Sequence, residues 1–133
     1  MLILSSSLDD YHTRATRLPE NQFYMVLDEF VLESGEVLPN ATVAFTVKGR
    51  MNAQRTNLIV VCHALSGSAV VEDWWAPIFS HANPALDLSK FCIVCCNSLG
   101  SPYGSSSPLS IRPDKASAYG NTFPKTTIRD DVL

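Results

Sequence analysis

Two continuous apolar runs, residues 57–62 and 91–96, constrain the fold more than any other feature of the sequence. Neither run contains a charged residue, and polar segments bound both of them. Such runs are typical of strands covered on both faces, as in a parallel sheet. The intervening residues 72–79 predict a short helix, whose Trp74 and Trp75 we expect to pack in the core rather than to line a pocket. Strand, crossover and parallel strand form an α/β unit with a right-handed crossover.

Two further strands are predicted upstream of this unit. Residues 24–32 are rich in apolar, β-compatible side chains, residues 33–36 supply a turn, and residues 41–47 alternate with period two. This pattern predicts an antiparallel pair. Residues 1–20 are mostly polar and aperiodic, and we expect a mobile arm there, ahead of one domain over residues 21–133.

The composition excludes several classes of protein. Hydrophobic residues make up 46% and charged residues 17% of the 133, and the formal net charge is -3. These values fit a folded domain and neither a disordered chain nor a nucleic-acid binder. The apolar start, residues 1–4, is too short for a signal peptide, and no run reaches the roughly 18 apolar residues that span a bilayer. We expect a cytoplasmic protein that binds neither nucleic acid nor membrane.

The sequence has four cysteines, Cys62, Cys92, Cys95 and Cys96. Three of them lie inside apolar runs that resemble buried strands, and reduced core thiols are the simplest interpretation. Cys92 and Cys95 have the spacing of a metal or redox pair. Residues three apart in a strand point to opposite faces, so these two cannot share one metal ion or one disulfide. Cys62 and His63 are adjacent, which also predicts opposite faces and disfavours a Cys–His nucleophile pair. We expect no metal site.

The second half of the chain contains a long loop and the start of a further element. Residues 97–113 are dominated by Gly, Ser and Pro, which predicts an extended loop. Residues 97–107 follow the carboxyl end of a strand, so they either lie beside a ligand site or form a tight connector. Residues 126–133 predict a helix start, with a threonine N-cap candidate and carboxylates in the first turn. Local ion pairing is the simplest role for its charged residues, Arg129, Asp130 and Asp131.

The segment most informative about chemistry is residues 63–68, His-Ala-Leu-Ser-Gly-Ser, directly after a predicted strand. In α/β-hydrolases the loop at this place gives one backbone N–H of the oxyanion hole, and the residue after the nucleophilic serine gives the other. Small side chains let a substrate carbonyl approach the backbone. Leu65 is the candidate donor. The alternative is an ordinary Gly/Ser turn, which has the same local pattern.

No complete Ser-His-Asp triad is encoded. A serine nucleophile is expected in a G-x-S-x-G turn. The only glycines four apart, Gly100 and Gly104, have Pro102 at the serine position. The three histidines have no serine and carboxylate partners at a recognisable spacing: His12, His63 and His81. We expect the chain to be inactive alone.

Five short motifs follow one another along the chain. They are LESG at 32–35, VVCHALSGS at 60–68, VEDWW at 71–75, NSLGSPYGS at 97–105 and FPKTTIRDDV at 123–132. In this order they resemble the successive motifs of the homoserine O-acetyltransferase family, in its N-terminal portion. Five ordered matches are far more specific than any one of them. Ser66 stands where that family commonly has threonine, a departure that keeps the hydroxyl.

The resemblance implies a truncated α/β-hydrolase fold, with the N-terminal strands of the mixed sheet and few helices. It also implies a ping-pong reaction of methionine biosynthesis. A serine takes the acetyl group from acetyl-CoA, which is a substrate rather than a bound cofactor, and the homoserine hydroxyl then attacks the acyl-enzyme. The family's Ser, Asp and His lie beyond residue 133, so the domain is expected to be incomplete at its C-terminus. Of the family's catalytic roles, the resemblance assigns only that of oxyanion-hole donor to this chain, at the backbone N–H of Leu65.

Two alternatives stay open. A non-catalytic short form would act by pairing with another protein. In the family's sheet a further strand lies beside residues 58–62, and without it an apolar edge would be open to self-association. The second alternative keeps acyl transfer but changes the acceptor, because similar enzymes acetylate serine or deacetylcephalosporin C. Homoserine is favoured by the motifs at residues 63–68 and 71–75.

Overall fold

The computed structural model describes residues 2–3, 21–79 and 84–132 of the chain. Within these ranges it contains one five-stranded mixed sheet of order β1-β2-β3-β5-β4. The strands are β1 Leu2–Ile3, β2 Phe23–Val31, β3 Val37–Lys48, β4 Leu58–Val61 and β5 Cys92–Cys96. Three pairs are antiparallel, β1–β2, β2–β3 and β3–β5, and β4 pairs with β5 in parallel.

The α/β unit predicted from the two apolar runs is confirmed. In the parallel pair Leu58 lies opposite Cys92 and Val61 opposite Cys95. The crossover contains helix α1, Val71–Trp75, which passes into a 3-10 turn, Ala76–Ile78. The α-helix is short because a proline follows it at position 77. A proline has no N–H for the α-helical hydrogen bond, and its ring crowds the preceding turn.

The predicted antiparallel pair is also confirmed, and β3 is longer than the sequence indicated. β2 and β3 stay in one register from Phe23 opposite Phe45 to Val31 opposite Val37. The connecting turn is closed by hydrogen bonds from the Gly35 N–H to the Leu32 carbonyl and from the Leu32 N–H to the Glu36 carbonyl, both 2.8 Å. This hairpin forms one side of the sheet, and the α/β unit forms the other.

The hydrophobic core lies on one face of the sheet. Directly opposed residues of neighbouring strands share a face, so the register places Thr46, Cys95 and Val61 together. The crossover packs on this face, which we call the packed face. Its buried cluster is Val61, Ala69, Val71, Ile93 and Cys95, with Ile59, Trp74, Phe79, Leu86 and Phe91 partly buried against it.

The chain after β5 contains little regular structure, as predicted for residues 97–113. It includes an isolated bridge between Ile111 and Ala118 and a 3-10 turn, Gly120–Thr122. The helix predicted to start at residues 126–133 is wrong as far as residue 132. This segment forms turns, with i to i+3 bonds from the Asp130 N–H to the Thr127 carbonyl and from the Val132 N–H to the Arg129 carbonyl.

Some of the sequence-based predictions concern residues outside the described ranges. β1 pairs with β2 through Leu2 opposite Met25, but residues 4–20 are not described, so the mobile arm stays a prediction. His12 and His81 also lie outside. Among the helices of the described ranges, none has the length and apolar character needed to cross a membrane.

Gly49, directly after β3, makes the closest backbone approach of the glycines. Its φ is +73°, and a Cβ there would clash with the Phe91 carbonyl oxygen. We expect Gly49→Ala to lower the free energy of unfolding by about 3 kcal/mol, because left-handed strain of about 1 to 2 kcal/mol adds to overpacking of about 1 to 3 kcal/mol. Urea unfolding followed by tryptophan fluorescence measures this loss.

The matched control is Gly35→Ala. Gly35 has a similar φ of +84°, but a Cβ added there would meet no atom of a more distant residue within 4 Å. It should therefore show only the backbone strain of about 1 to 2 kcal/mol. Equal losses in the two variants would contradict a tight contact between Gly49 and Phe91.

Candidate functional site

The loop after β4 carries the candidate oxyanion donor. The Gly67 N–H donates to the Ala64 carbonyl at 2.8 Å and closes a tight turn, with Leu65 and Ser66 as its two central residues. The Leu65 side chain is fully exposed, at 104%. No acceptor for the Leu65 N–H is found among the described residues. This backbone donor is therefore available to a ligand.

His63 braces this turn from its N-terminal side. The Ser98 N–H donates to Nε2 of His63 at 3.3 Å, and Nδ1 lies 2.7 Å from the Ala64 carbonyl oxygen. Because Nε2 accepts, the ring hydrogen is on Nδ1, which donates to Ala64. Both ring nitrogens are thus bonded to backbone. His63 holds the turn and connects it to the chain after β5, which is a structural role.

Asn97, at the end of β5, joins three separate segments. It is 1% exposed. Its Oδ1 accepts from the Ala69 N–H at 2.7 Å, just after the candidate loop. Its Nδ2 donates to the Tyr103 carbonyl at 2.9 Å and to Oε1 of Gln22 at 3.1 Å. A single buried amide thus fixes the position of the loop relative to β2 and to residues 97–107.

Two buried hydroxyls complete this network. Thr46 Oγ1 donates to the Ala69 carbonyl at 2.6 Å, so Ala69 is held through both its N–H and its C=O. Ser105 Oγ donates to the Asn97 carbonyl at 2.7 Å and accepts from the Ala44 N–H at 3.1 Å. Sequence reasoning missed these residues. The only local signals were a polar Thr46 within the alternating strand and an asparagine at the end of the second apolar run.

The segment 97–107 is a tightly held connector that also borders the candidate loop. The Ser106 N–H donates to the Thr42 carbonyl at 2.8 Å, and the Thr42 N–H donates to Ser106 Oγ at 2.9 Å, so two hydrogen bonds hold the segment against β3. Gly104, with φ of +118°, packs where a Cβ would lie 2.9 Å from the Ala44 Cβ. The tight connector is therefore confirmed, and a place beside a ligand site stays a prediction.

The acidic pair near the end of the chain binds backbone groups far away in sequence. The Glu33 N–H donates to Oδ1 of Asp130 at 2.6 Å, and the Thr127 N–H donates to Oδ2 at 2.6 Å. The Leu99 N–H donates to Oδ1 of Asp131 at 2.8 Å. Of these three charged residues, Arg129 alone makes an ion pair within the described ranges, with Glu33 at 2.8 Å and 96 residues away in sequence. The predicted local ion pairing is therefore wrong for all three.

The cysteines divide into a buried and an exposed pair. Cys92 and Cys95 are buried, but Cys62 and Cys96 are exposed, which corrects the prediction that thiols in these runs are core residues. Burial raises the pKa of Cys95 to about 11, and burial together with the neighbouring Cys62 raises the pKa of Cys96. Raised values disfavour the reactive thiolate. Within the described ranges, no three His, Cys, Asp or Glu side chains group as metal ligands.

Cys62 and His63 also depart from the prediction. β4 ends at Val61, so both residues follow the strand; Cys62 is exposed and His63 is half-buried. The argument from opposite strand faces therefore does not apply to them. A Cys–His nucleophile pair is disfavoured for a different reason, because the two ring nitrogens of His63 are already bonded to backbone groups.

The topology and the loop define a class of protein. The chain has a mixed sheet of order β1-β2-β3-β5-β4, a helical crossover between β4 and β5, and a small-residue loop at the carboxyl end of β4. These are the N-terminal elements of an α/β-hydrolase fold, as the sequence predicted. The few helices, α1 and two 3-10 turns, fit the predicted incomplete form of that fold.

Comparison with known proteins finds relatives that carry one family name. No family model matches the sequence. The chain is 45% identical over 129 residues to the homoserine O-acetyltransferase of Ascobolus immersus, covering 91% of this chain and 25% of that protein. It is 47% identical over 116 residues to that of Saccharomyces cerevisiae, covering 87% and 24%. The resemblance to the N-terminal portion of the homoserine O-acetyltransferases is therefore confirmed, and the chain spans about a quarter of these relatives.

Solved structures support the same assignment. The homoserine O-acetyltransferase of Bacillus anthracis matches with a TM-score of 0.68 at 25% identity, covering 83% of this chain and 33% of that one. An acetylester hydrolase from Corynebacterium glutamicum matches with a TM-score of 0.68 at 28% identity, covering 84% and 30%. Among these neighbours, the same fold is therefore found in an acetyltransferase and in an acetylester hydrolase.

Asn97→Ala should destabilise the chain because it leaves the Ala69 N–H buried without its acceptor. We expect a loss of about 2 to 4 kcal/mol in unfolding free energy, since one orphaned buried donor costs about 1 to 3 kcal/mol and further bonds are lost with it. Urea unfolding measures the loss, and hydrogen exchange should show faster exchange of the Ala69 amide.

Asn52→Ala is the control for this substitution. Asn52 also bonds through both side-chain atoms, to the Thr56 hydroxyl and the Thr56 N–H, but it is exposed. Its loss should be about 1 kcal/mol or less, because water replaces the bonds. An unchanged exchange rate for the Ala69 amide in Asn97→Ala would contradict the bond assigned to Asn97.

The Asp130 carboxylate should make stability depend on pH. The N–H groups of Glu33 and Thr127 hold the pKa of Asp130 below its usual value. A lowered folded-state pKa stabilises the fold above the ordinary value of about 4, and the contribution disappears as pH falls through the folded-state pKa. Asp130→Asn should therefore be less stable than the parent at neutral pH, and the difference should shrink in acid.

Urea unfolding at neutral and acidic pH measures this dependence. The control is Asp28→Asn on β2, whose exposed side chain should leave stability nearly unchanged. A difference between Asp130→Asn and the parent that stays constant from neutral to acidic pH would show that the carboxylate charge is not what the two N–H groups stabilise.

Proposed function

We propose that this chain supplies the oxyanion-loop half of a serine-nucleophile acyltransferase that moves an acetyl group from acetyl-CoA to the homoserine hydroxyl. The available Leu65 N–H, on a turn held at the carboxyl end of β4, is the observation that carries the proposal. The relatives called homoserine O-acetyltransferase, at 45% and 47% identity, support it. A place in methionine biosynthesis and in the cytoplasm belongs to the same proposal.

The chemistry requires a donor that is in position before the reaction begins. When a serine attacks the acetyl carbonyl, negative charge develops on the carbonyl oxygen, and fixed N–H donors stabilise it without reorganisation. The Leu65 N–H would be one such donor. Three contacts fix its turn: the Gly67–Ala64 bond, the His63 brace and the Asn97 bond to Ala69. The serine, its acid–base partners and the second N–H come from residues outside this chain.

The molecule that accepts the acetyl group is proposed from the named relatives, because the loop itself does not discriminate between acceptors. An oxyanion donor contacts the carbonyl oxygen, which is the same atom whether homoserine, serine, deacetylcephalosporin C or water accepts the acetyl group. Hydrolysis is a second candidate because of the acetylester hydrolase, whose identity to this chain is 28%. Transfer to homoserine is favoured because the named acetyltransferases reach 45% and 47%.

Leu65→Pro tests the proposal directly. Leu65 is the second residue of the Ala64–Gly67 turn, a position that favours proline, so the substitution removes the N–H with little change to the turn. The enzyme to assay is the Saccharomyces cerevisiae relative with its matching segment replaced by this chain. We expect kcat for homoserine-dependent thiol release from acetyl-CoA to fall about 10²- to 10³-fold, as for other lost oxyanion donors.

Leu65→Ala is the matched control, because it keeps the N–H and changes only an exposed side chain. It should retain nearly full kcat. Equal rates for Leu65→Pro and Leu65→Ala would mean that the Leu65 N–H is not an oxyanion donor. Detection of O-acetylhomoserine rather than acetate separates transfer from hydrolysis. Acetyl transfer by the 133-residue chain alone would overturn the assignment of the nucleophile to residues outside it.

A further inference from the structure

Two exposed thiols lie beside each other where β4 and β5 end. Cys62 directly follows β4, and Cys96 is the last residue of β5. The last registered pair of these parallel strands is Val61 opposite Cys95, so Cys62 and Cys96 occupy the next step along the two chains. Both thiols are exposed. The proposed acetyl transfer uses neither of them.

Contacts on both sides of this step hold the two chains together. On one side Val61 pairs with Cys95 in the parallel ladder. On the other side the Ser98 N–H donates to Nε2 of His63 at 3.3 Å. The chain therefore stays beside β5 as it leaves β4, and the two thiols lie between these contacts.

The spacing of neighbouring strands suits a disulfide. Adjacent strands lie about 4.7 to 4.9 Å apart, and disulfides join residues whose Cα atoms are about 4.4 to 6.8 Å apart. The two thiols also influence each other, because partial burial and the neighbouring Cys62 raise the pKa of Cys96. Cys62 lies outside regular structure, so its backbone can adjust to the geometry that the bond requires.

The other two cysteines are poor competitors for an oxidant. Cys92 and Cys95 are buried, and burial raises the pKa of Cys95 to about 11. Oxidants react with the thiolate of an accessible cysteine, so a buried thiol with a raised pKa reacts slowly. Cys95 also packs in the core cluster of the packed face. Oxidation from solution should therefore be confined to Cys62 and Cys96.

We propose that Cys62 and Cys96 form a reversible dithiol–disulfide site that reacts with hydroperoxides and joins the ends of β4 and β5. Disulfides of cytosolic proteins are usually transient and redox-sensing, which fits a site of this kind. The site does not depend on the proposed acetyl transfer, because both thiols and both strand ends belong to this chain.

The reaction has two steps. The thiolate of Cys62 attacks hydrogen peroxide, so an S–O bond forms, the O–O bond breaks, and the hydroxide released takes up the thiol proton as water. The thiol of Cys96 then attacks the sulfenic sulfur of Cys62, so the S–S bond forms and the hydroxyl leaves with the Cys96 proton as a second water. The two sulfurs lose two electrons in total, and the peroxide gains them. A small dithiol reverses the bond by thiol–disulfide exchange.

The surroundings assign the first attack to Cys62. Partial burial, Cys62 and Asp131 raise the pKa of Cys96, which disfavours its thiolate. Cys62 is exposed and lies beyond the end of its strand. Cys96 is therefore the resolving thiol, which reacts only after Cys62 has been oxidised.

The bond joins two segments that position the candidate loop. Cys62 precedes His63, which braces the turn of that loop. Cys96 precedes Asn97, whose amide bonds three segments. A disulfide keeps the two strand ends together in the unfolded chain and so favours the folded state. The oxidised chain should therefore resist urea better than the reduced chain.

Peptide mapping of the 133-residue chain tests the site. The folded chain is treated with a small excess of hydrogen peroxide, free thiols are blocked with N-ethylmaleimide in urea, and the digest is read by tandem mass spectrometry without reductant. We expect one predominant disulfide, between Cys62 and Cys96, with Cys92 and Cys95 blocked as free thiols. Dithiothreitol should restore all four thiols. The urea midpoint should rise on oxidation and fall again on reduction.

Two matched substitutions assign the roles of the thiols. Dimedone traps sulfenic acids, and in Cys96→Ser the sulfenic acid of Cys62 has no resolving thiol, so its adduct should increase several-fold over the parent. In Cys62→Ser the adduct on Cys96 should stay near the parent level. Peroxide should leave the urea midpoint of Cys62→Ser unraised, which separates the disulfide from oxidation of methionine.

Several results would overturn the proposal. One is a predominant disulfide that includes Cys92 or Cys95, and another is a disulfide between two copies, seen as a dimer on a non-reducing gel. A third is oxidation of Cys62 or Cys96 to sulfur acids with no linked peptides. Equal dimedone adducts on Cys96 in Cys62→Ser and on Cys62 in Cys96→Ser would contradict the assigned order of attack. If a serine variant does not fold, the peptide map of the parent chain decides alone.

Discussion

The buried amide of Asn97 is the interaction on which the arrangement of the site depends. A buried amide is costly unless its hydrogen bonds are made. Asn97 makes them to three segments that are distant in sequence, at Ala69, Tyr103 and Gln22. The bonds of Asn97 therefore couple the positions of these three segments. This network positions the turn around Leu65, because Ala69 directly follows the candidate loop and both of its backbone groups are hydrogen-bonded.

This polar network compensates for a core that lies on one face of the sheet. The apolar cluster around Ile93 and Cys95 packs under the crossover, and both residues are almost fully buried. On the other face Val60 remains largely exposed. Hydrophobic burial alone therefore cannot fix the ends of β4 and β5 from both sides. Directional bonds from Asn97, Thr46 and Ser105 supply the missing constraint at the edge where the candidate loop lies.

The sequence predicted the elements that depend on local pattern. Continuous apolar runs predicted β4 and β5, and period-two alternation predicted β3, because side-chain periodicity reflects burial. Contacts between distant segments were not predictable in this way. The carboxylate of Asp130 binds a backbone N–H 97 residues away, so a threonine followed by carboxylates indicated a helix start where turns form instead. The exposure of Cys62 and Cys96 was missed because a continuous apolar run does not show where its strand ends: β4 ends before Cys62, and Cys96 is the last residue of β5.

In the proposed enzyme, this chain supplies the oxyanion donor, and other residues supply the nucleophile and the acid–base groups. Oxyanion stabilisation needs a rigid backbone donor, and three contacts within this chain hold the Leu65 turn. Nucleophilic attack and proton transfer need side chains that the sequence does not encode in a recognisable triad. The donor acts on the carbonyl oxygen common to every acetyl ester and thioester, so it places no requirement on the acceptor. The same loop is therefore compatible with the acetyltransferases and the acetylester hydrolase that share this sheet, and discrimination between an alcohol and water must depend on groups that surround the acyl-enzyme.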